Sequence, residues 1–321
     1  METNPEDQKK VKVAVVQAAP VLFDREATLE KAAALILEAG RQGAGLVLLP
    51  EAYIPAYPRG FSFGMVVGSR KSEGRALWKR YWENAVEVPG PATEALGAAA
   101  REAGVFLAIG VIERDNQFSR GTLYCTLLYF DPEGKLLGKH RKLKPTGAER
   151  LIWGEGDGST MPVVEAPFGK VGGLICWENY MPLARMAMYA KGVEIYLAPT
   201  ADYRDSWQAT MRHIACEGRC FVLGCNQFVK KDMYPENLET LEELEDRPEI
   251  MCRGGSVIVA PLGDVIAGPL FDEEGILYAQ LDMTEVVKSK IDFDVVGHYS
   301  RPDVFQLSVN ERTLSPVSPV S

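Results

Sequence analysis

Histidine is scarce in this chain, with three among 321 residues, His140, His213 and His298. They are too scattered for a zinc set of the H-x-x-x-H kind, and no C-x-x-C pair stands among the six cysteines. None of the three lies in a recognisable cysteine-protease setting. A phosphate-cradling loop is missing too, because Gly154, Gly156 and Gly158 in WGEGDGS do not follow G-x-G-x-x-G. No metal and no cofactor are therefore expected. No window approaches the roughly 20 apolar residues that span a bilayer, and the opening METNPEDQKK has no apolar segment of the kind a secretory leader carries. A cytoplasmic protein with no membrane partner is the expectation. Long basic runs are also absent, and the formal net charge of -9 disfavours a nucleic-acid partner. No internal repeat stands out.

What is present is enough apolar content, 46%, to bury a large core without disulfide or metal staples. The chain is far longer than secreted scaffolds that depend on pairing, so Cys125, Cys176, Cys216, Cys220, Cys225 and Cys252 are expected as reduced thiols. Cys216 and Cys220 are four apart on an expected helix, which predicts a shared face in the core. Val11 to Gln17 reads as a buried strand, Asp24 is placed to cap an Ala/Leu-rich helix ending near Gly40 and Gly43, and Gly45 to Pro50 reads as a second strand. The pattern continues with a helix over 92–102, a strand over 105–112 and a pair over 123–130 and 135–142 joined by Asp131-Pro132-Glu133-Gly134. Then come a strand over 171–176, a helix over 182–191, a strand over 193–198, a helix over 207–219 and a strand over 221–226. Strands over 256–261, 265–268 and 275–282 close it. This alternation predicts an α/β fold of sheets covered by helices. One domain over 11–305 is expected, with a flexible segment 1–10 and a flexible Pro/Ser-rich tail 306–321. The charged stretch KKDMYPENLETLEELEDR, Lys230 to Arg247, reads as a solvated insertion.

Three residues carry candidate chemistry. Cys176 ends an apolar run and is followed at once by a polar turn, a place where a thiol can sit near free backbone N–H groups. A buried structural cysteine reads equally well from position alone. A thiol needs a base, and Glu51, at the end of the wholly apolar GLVLLPE, is a carboxylate whose pKa burial could poise, though strand-end acids are commonly solvated. Lys142 closes another strand in GKHRKLKPT, where basic residues are more often surface decoration.

Taken together, Glu51 in LLPEAYIPAYP, Lys142 in HRKLKPT and Cys176 in ICWEN resemble the Glu-Lys-Cys triad of the nitrilase superfamily, in order and in strand-end context. The resemblance extends through ERLIWGEGDGS, GVEIYLAPTAD, HIACEGRCFVLGCNQF and FDVVGHYSRP, and so covers most of the chain. CWEN with HRKLKPT and IWGEGDG is similar to the true nitrilase branch, bacterial and plant. The resemblance implies a four-layer α-β-β-α sandwich and dimers that assemble further into spirals. It implies Cys176 as nucleophile, Glu51 as general base, Lys142 (not Lys144) as the positive partner and Glu149 as a further structural or catalytic glutamate. Tyr57, Trp153, Trp177 and Thr200 fall where the family's pocket is lined. The implied reaction is hydrolysis of an organic nitrile to the acid and ammonia, with water as co-substrate. A nitrile or cyanide hydratase releasing an amide, and an amidase of the same superfamily, are the rivals.

Overall fold

The computed structural model describes residues 10–317. The segment expected to be flexible at the start therefore lies outside the described residues, except Lys10, which is paired in the first strand. The first half of the chain runs β1 (Lys10–Gln17), α1 (Arg25–Arg41), β2 (Leu46–Leu48), β3 (Met65–Val66), β4 (Ser69–Arg70), α2 (Ser72–Glu83), β5 (Val86–Glu87), α3 (Pro91–Ala103), β6 (Phe106–Arg114), β7 (Leu123–Phe130) and β8 (Leu136–Arg141). The second half runs β9 (Val163–Ala166), β10 (Gly169–Gly173), α4 (Pro182–Ala190), β11 (Ile195–Pro199), α5 (Asp205–Gly218), β12 (Phe221–Cys225), β13 (Phe228–Lys230), β14 (Ile250–Val259), β15 (Val265–Phe271), β16 (Gly275–Asp282) and α6 (Thr284–Ser289).

Two seven-stranded sheets result. One has the order β16-β1-β2-β6-β7-β8, with β5 added on β6, and the other β13-β14-β12-β11-β10-β9, with β15 added on β14. Each has a parallel centre, β1-β2-β6 in one and β10-β11-β12 in the other, and antiparallel flanks. Strands buried on both faces read as unbroken apolar runs, as LVL and FVLGC do here.

The period of two in side-chain direction then builds the layers. Val13, Val15 and Leu48 point from the first sheet toward Ile195, Leu197 and Leu223 of the second, forming the central core. Their neighbours Ala14, Val16 and Val47 point outward and pack under Ala32 and Ile36 of α1 and Leu96 of α3. On the other side Tyr196 and Val222 pack under Met188 of α4 and Ile214 of α5. Helix, sheet, sheet, helix is the resulting order, the four-layer sandwich expected.

Asp24 caps α1 by accepting from the Ala27 amide at 3.0 Å. Four local expectations need correction. β10 stops at Gly173, so Cys176 lies beyond the strand rather than on its last residue. Residue 219 adopts a left-handed conformation that ends α5, which leaves Cys216 exposed and Cys220 buried past the helix, not on a shared face. Helix α2 was not foreseen, because its buried face consists of Gly74, Leu77 and Tyr81, too sparse for a periodic signal. The 230–247 stretch is not merely solvated, since Tyr234, Leu238 and Leu244 reach into the central core. The tail is extended and exposed through 317, and touches the body where Leu314 N donates to Asp157 Oδ2 at 2.7 Å and Glu311 pairs with Lys191 at 2.6 Å. Among the described residues no helix is long and apolar enough to cross a membrane.

Candidate functional site

Glu51, Lys142 and Cys176 come from three different connections, each just past the C-terminal end of a strand: β2, β8 and β10. Facing sheets bring these ends together. The chain turns sharply at two of the three. Ala52, next to Glu51, has φ 48°, and Cys176 itself has φ 53°, conformations that cost a non-glycine residue of order 1–3 kcal/mol and are held by their surroundings. Gly110 of β6 makes room for the first turn, since a Cβ there would lie 2.2 Å from Pro50 O and 2.7 Å from Glu51 Cα. The second is held by Asn179, whose Nδ2 donates to the carbonyls of Leu174 (2.9 Å) and Cys176 (2.8 Å), while Tyr196 OH donates to its Oδ1 (2.8 Å). Cys176 and Trp177 open a 3-10 turn, so their amides have no carbonyl within it to bond.

The charges are tightly arranged. Lys142 Nζ, fully buried, donates to Glu51 Oε1 and to Glu149 Oε2, both at 2.7 Å. Glu149 also accepts from Tyr57 OH (2.7 Å, at Oε1) and from the Thr146 amide (2.7 Å). The second oxygen of Glu51, Oε2, is buried with no hydrogen-bond partner among the described residues. The Cys176 thiol lies near enough to that carboxylate to favour its charged form, and Thr200 Oγ1 donates to Cys176 Sγ at 3.1 Å. Burial lifts Glu51 above the usual carboxylate range, against the pull of Lys142. Burial and then the Glu51 charge hold Cys176 as a thiol, far above its ordinary value. Burial opposes the charge on Lys142, but Glu51, Cys176 and Glu149 outweigh it and keep the amine protonated. The arrangement is a protonated thiol, a basic carboxylate with a free oxygen, and a fixed cation across from both. It can move a proton off sulfur and stabilise negative charge as it appears.

Pattern reading missed a fourth component. Glu178 in the CWEN turn accepts from the Leu143 amide at 2.6 Å and from the Ile175 amide at 2.7 Å, which ties the residue after Lys142 to the residue before Cys176. His140 Nε2 lies 2.9 Å from Glu178 Oε2 and its Nδ1 2.6 Å from Thr160 O, so both nitrogens face acceptors and both must donate. His140 is therefore an imidazolium. Burial opposes that charge and Glu178 outweighs it, raising the pKa above the ordinary value. Such a shift stabilises the fold fully below the unfolded-state pKa of about 6.5 and is lost as pH rises through the folded value. His140→Gln is expected to cost about 3–5 kcal/mol near pH 6, and the gap in melting temperature from the parent protein to narrow as pH is raised. A gap that stays constant with pH would place the charge elsewhere.

A cavity of about 300 Å³ opens onto Cys176, with Tyr57, Glu149, Trp177, Arg59 and Arg204 on its walls. Trp177 is 39% exposed and is fixed by its Nε1 donating to Asp202 (2.8 Å) and by Arg204 stacked over the ring. Trp153 lies instead on a neighbouring cavity of about 480 Å³ that shares Tyr57, Arg59 and Glu149 but does not reach Cys176. Thr200 is buried and touches the thiol rather than the cavity. Lys144 is on the surface with Glu155 and takes no part. Arg59, Asp202, Arg204 and Cys125, whose Sγ is 3.6 Å from Glu51 Oε1, were not read as site residues from sequence. Among the described residues no group of three or more His, Cys, Asp or Glu is placed to hold a metal ion.

Comparison with known proteins points the same way. Residues 12–290 match the family model described as carbon-nitrogen hydrolase. The chain is 55% identical over 309 residues to an aliphatic nitrilase of Sinorhizobium fredii, covering 96% of this chain and 98% of that one. It is 53% identical over 311 residues to a bifunctional nitrilase/nitrile hydratase, NIT4B, of Nicotiana tabacum, covering 96% and 88%. In fold it is similar to the crystal structure of Saccharomyces cerevisiae Nit3, a member of branch 10 of the nitrilase superfamily, with TM-score 0.68 and 22% identity over 91% of this chain and 97% of that one. With two facing sheets that carry the Glu51, Lys142 and Cys176 ends to one point, and a family match along nearly its whole length, this chain belongs to the carbon-nitrogen hydrolase family.

Proposed function

We propose that the protein is a nitrilase that converts an organic nitrile to its carboxylic acid and ammonia on Cys176. The observation that carries the reading is the unpartnered, buried Glu51 Oε2 beside a thiol that burial keeps protonated. A nitrile carbon is a weak electrophile, so sulfur must attack as thiolate. Glu51 takes the proton from Sγ, and Sγ bonds to the nitrile carbon. The nitrogen gains a proton from Lys142, which Glu51 restores, and a thioimidate is formed. Glu51 then takes a proton from water as its oxygen adds to the same carbon. Returned to nitrogen, that proton gives a tetrahedral species with a hydroxyl and an amine, and transfer of the hydroxyl proton to the amine through Glu51 lets the C–N bond break, so that ammonia leaves and a thioester remains on sulfur. A second water, activated likewise, releases the acid and restores the thiol. Ammonia and acid from a panel of aliphatic, arylacetic, aromatic and cyano-amino-acid nitriles, with little turnover of the matching amides, is the expected result. Turnover of amides alone would move the protein to an amidase.

The tobacco relative's name includes nitrile hydratase, and one step decides between the two products. If the C–S bond of the tetrahedral species breaks before C–N, an amide leaves. Glu149 holds Lys142 beside that centre. Glu149→Gln is therefore expected to raise the amide-to-acid ratio several-fold, read by chromatography of both products. A ratio that does not move would remove Glu149 from this branch point.

We further propose one catalytic domain over residues 11–305, a cytoplasmic location, and self-association to a dimer and larger spirals. Exposed apolar side chains at Val304, Phe305 and Leu314 support the last.

A further inference from the structure

Two guanidinium groups face the cavity at Cys176, and only one has a carboxylate partner among the described residues. Arg204 is paired with Asp202 at 2.5 Å. Arg59 is not paired. It is half-buried, its guanidinium lies 5.2 Å from the Tyr57 ring and 5.2 Å from the Tyr203 ring, and its Nη2 donates to the Ala201 carbonyl. The guanidinium also lies against the buried Cys252 thiol, and since it has five N–H donors, one carbonyl and one thiol leave most of them over.

The acids that share this cavity are already engaged. Glu149 holds Lys142, Tyr57 OH and the Thr146 amide, and Asp202 holds Arg204 and the Trp177 indole. Among the described residues nothing anionic in the wall of this cavity is left to neutralise Arg59, and Glu243, on the neighbouring cavity, accepts from the Ser62 amide and forms no ion pair with Arg59. A cation withdrawn from water without a counter-charge is unfavourable, and an incoming anion removes that cost. Stacking against two tyrosines fixes the plane of the fork before any ligand arrives, which suits bidentate binding of a carboxylate better than a flexible lysine would. The cavity, at about 300 Å³, is at the lower end of ligand-site volumes, so the ligand is short.

We propose that Arg59 anchors a carboxylate of the substrate, so that the preferred nitriles are short cyano-carboxylic acids whose nitrile carbon reaches Cys176. The proposal rests on the nitrile-hydrolysing reading given above. The first arm of the test needs no variant: ammonia release from 3-cyanopropanoate is compared with release from its methyl ester, which has the same nitrile and no charge. The acid is expected to have at least a tenfold higher kcat/KM, mostly through KM. Arg59→Gln is expected to lower the acid-to-ester ratio by at least tenfold, and Arg59→Lys to keep part of it. An ester hydrolysed as well as the acid, or a ratio unmoved by Arg59→Gln, overturns the proposal. The second arm does not depend on turnover. Calorimetric titration of Cys176→Ala with 3-cyanopropanoate is expected to show binding that Cys176→Ala/Arg59→Gln loses. Should the parent protein hydrolyse no nitrile at all, the nitrilase reading fails and this titration alone decides the anion site: binding that depends on Arg59 supports it, and absent binding overturns it.

Discussion

Replacing Cys176 with alanine is expected to reduce nitrile turnover by about 10⁴- to 10⁶-fold, the range seen when a covalent nucleophile is removed and the rest of a site is left in place. Nothing else in the site can take over the role. The other thiol against Glu51, Cys125, is wholly buried in the central core and is absent from the walls of the cavity that reaches Cys176. Glu51 could still activate water, but a nitrile attacked by water alone loses the covalent step that divides the reaction in two. The fold is expected to survive. Alanine at φ 53° bears the same strain as cysteine, and the turn is held by Asn179 and Glu178 through backbone groups that the substitution does not alter. Ammonia assays alongside thermal melts check both parts, and a collapse of the melt together with activity would show Cys176 to be structural.

The second large effect concerns Lys142. Its ammonium is the shared donor to Glu51 and Glu149, with all three groups buried or nearly so. Lys142→Met fills similar space and leaves two carboxylates facing each other without a cation. Breaking a buried pair in this way costs about 3–5 kcal/mol. The sign of the pH response follows. In the variant Glu51 loses the Lys142 charge that opposes its burial, so its folded-state pKa rises further above the unfolded value of about 4.3 and the folded state binds the extra proton. The deficit is therefore largest above the folded pKa and shrinks as pH falls toward 4.3. Activity is expected to drop at least about 10²- to 10³-fold, the effect of losing one pre-positioned charge donor. Urea melts between pH 5 and 8 read the first effect, and a deficit independent of pH would mean that the two acids are not left charged.

Much of this was legible in the chain itself, and the reason is local. GLVLLPE is buried and must emerge at Glu51, and ICWEN follows within a few residues of the end of β10, so strand ends with chemistry near them can be read from runs of apolar residues. What could not be read depends on contacts distant in sequence. Glu178 looked like one more polar residue of a turn, but its partner His140 is 38 positions away on another strand end. Arg59 sat unremarked in AYPRG, because its lack of a partner is a property of the assembled wall and not of its neighbours in the chain. The 230–247 stretch misled for a related reason. Its charges outnumber its apolar residues, yet Tyr234, Leu238 and Leu244 are spaced irregularly in and between two short 3-10 turns and still converge on the core. Periodicity detects regular elements, and this segment has none long enough to show one.

The most direct test of the central claim is the mass of the protein during turnover. Samples quenched with acid while a nitrile is being consumed should carry an adduct of the substrate's mass, or of its acyl group, confined to the peptide that contains Cys176 and missing from Cys176→Ala. Turnover that proceeds with no adduct there, or with the adduct on another residue, would contradict Cys176 as the attacking group.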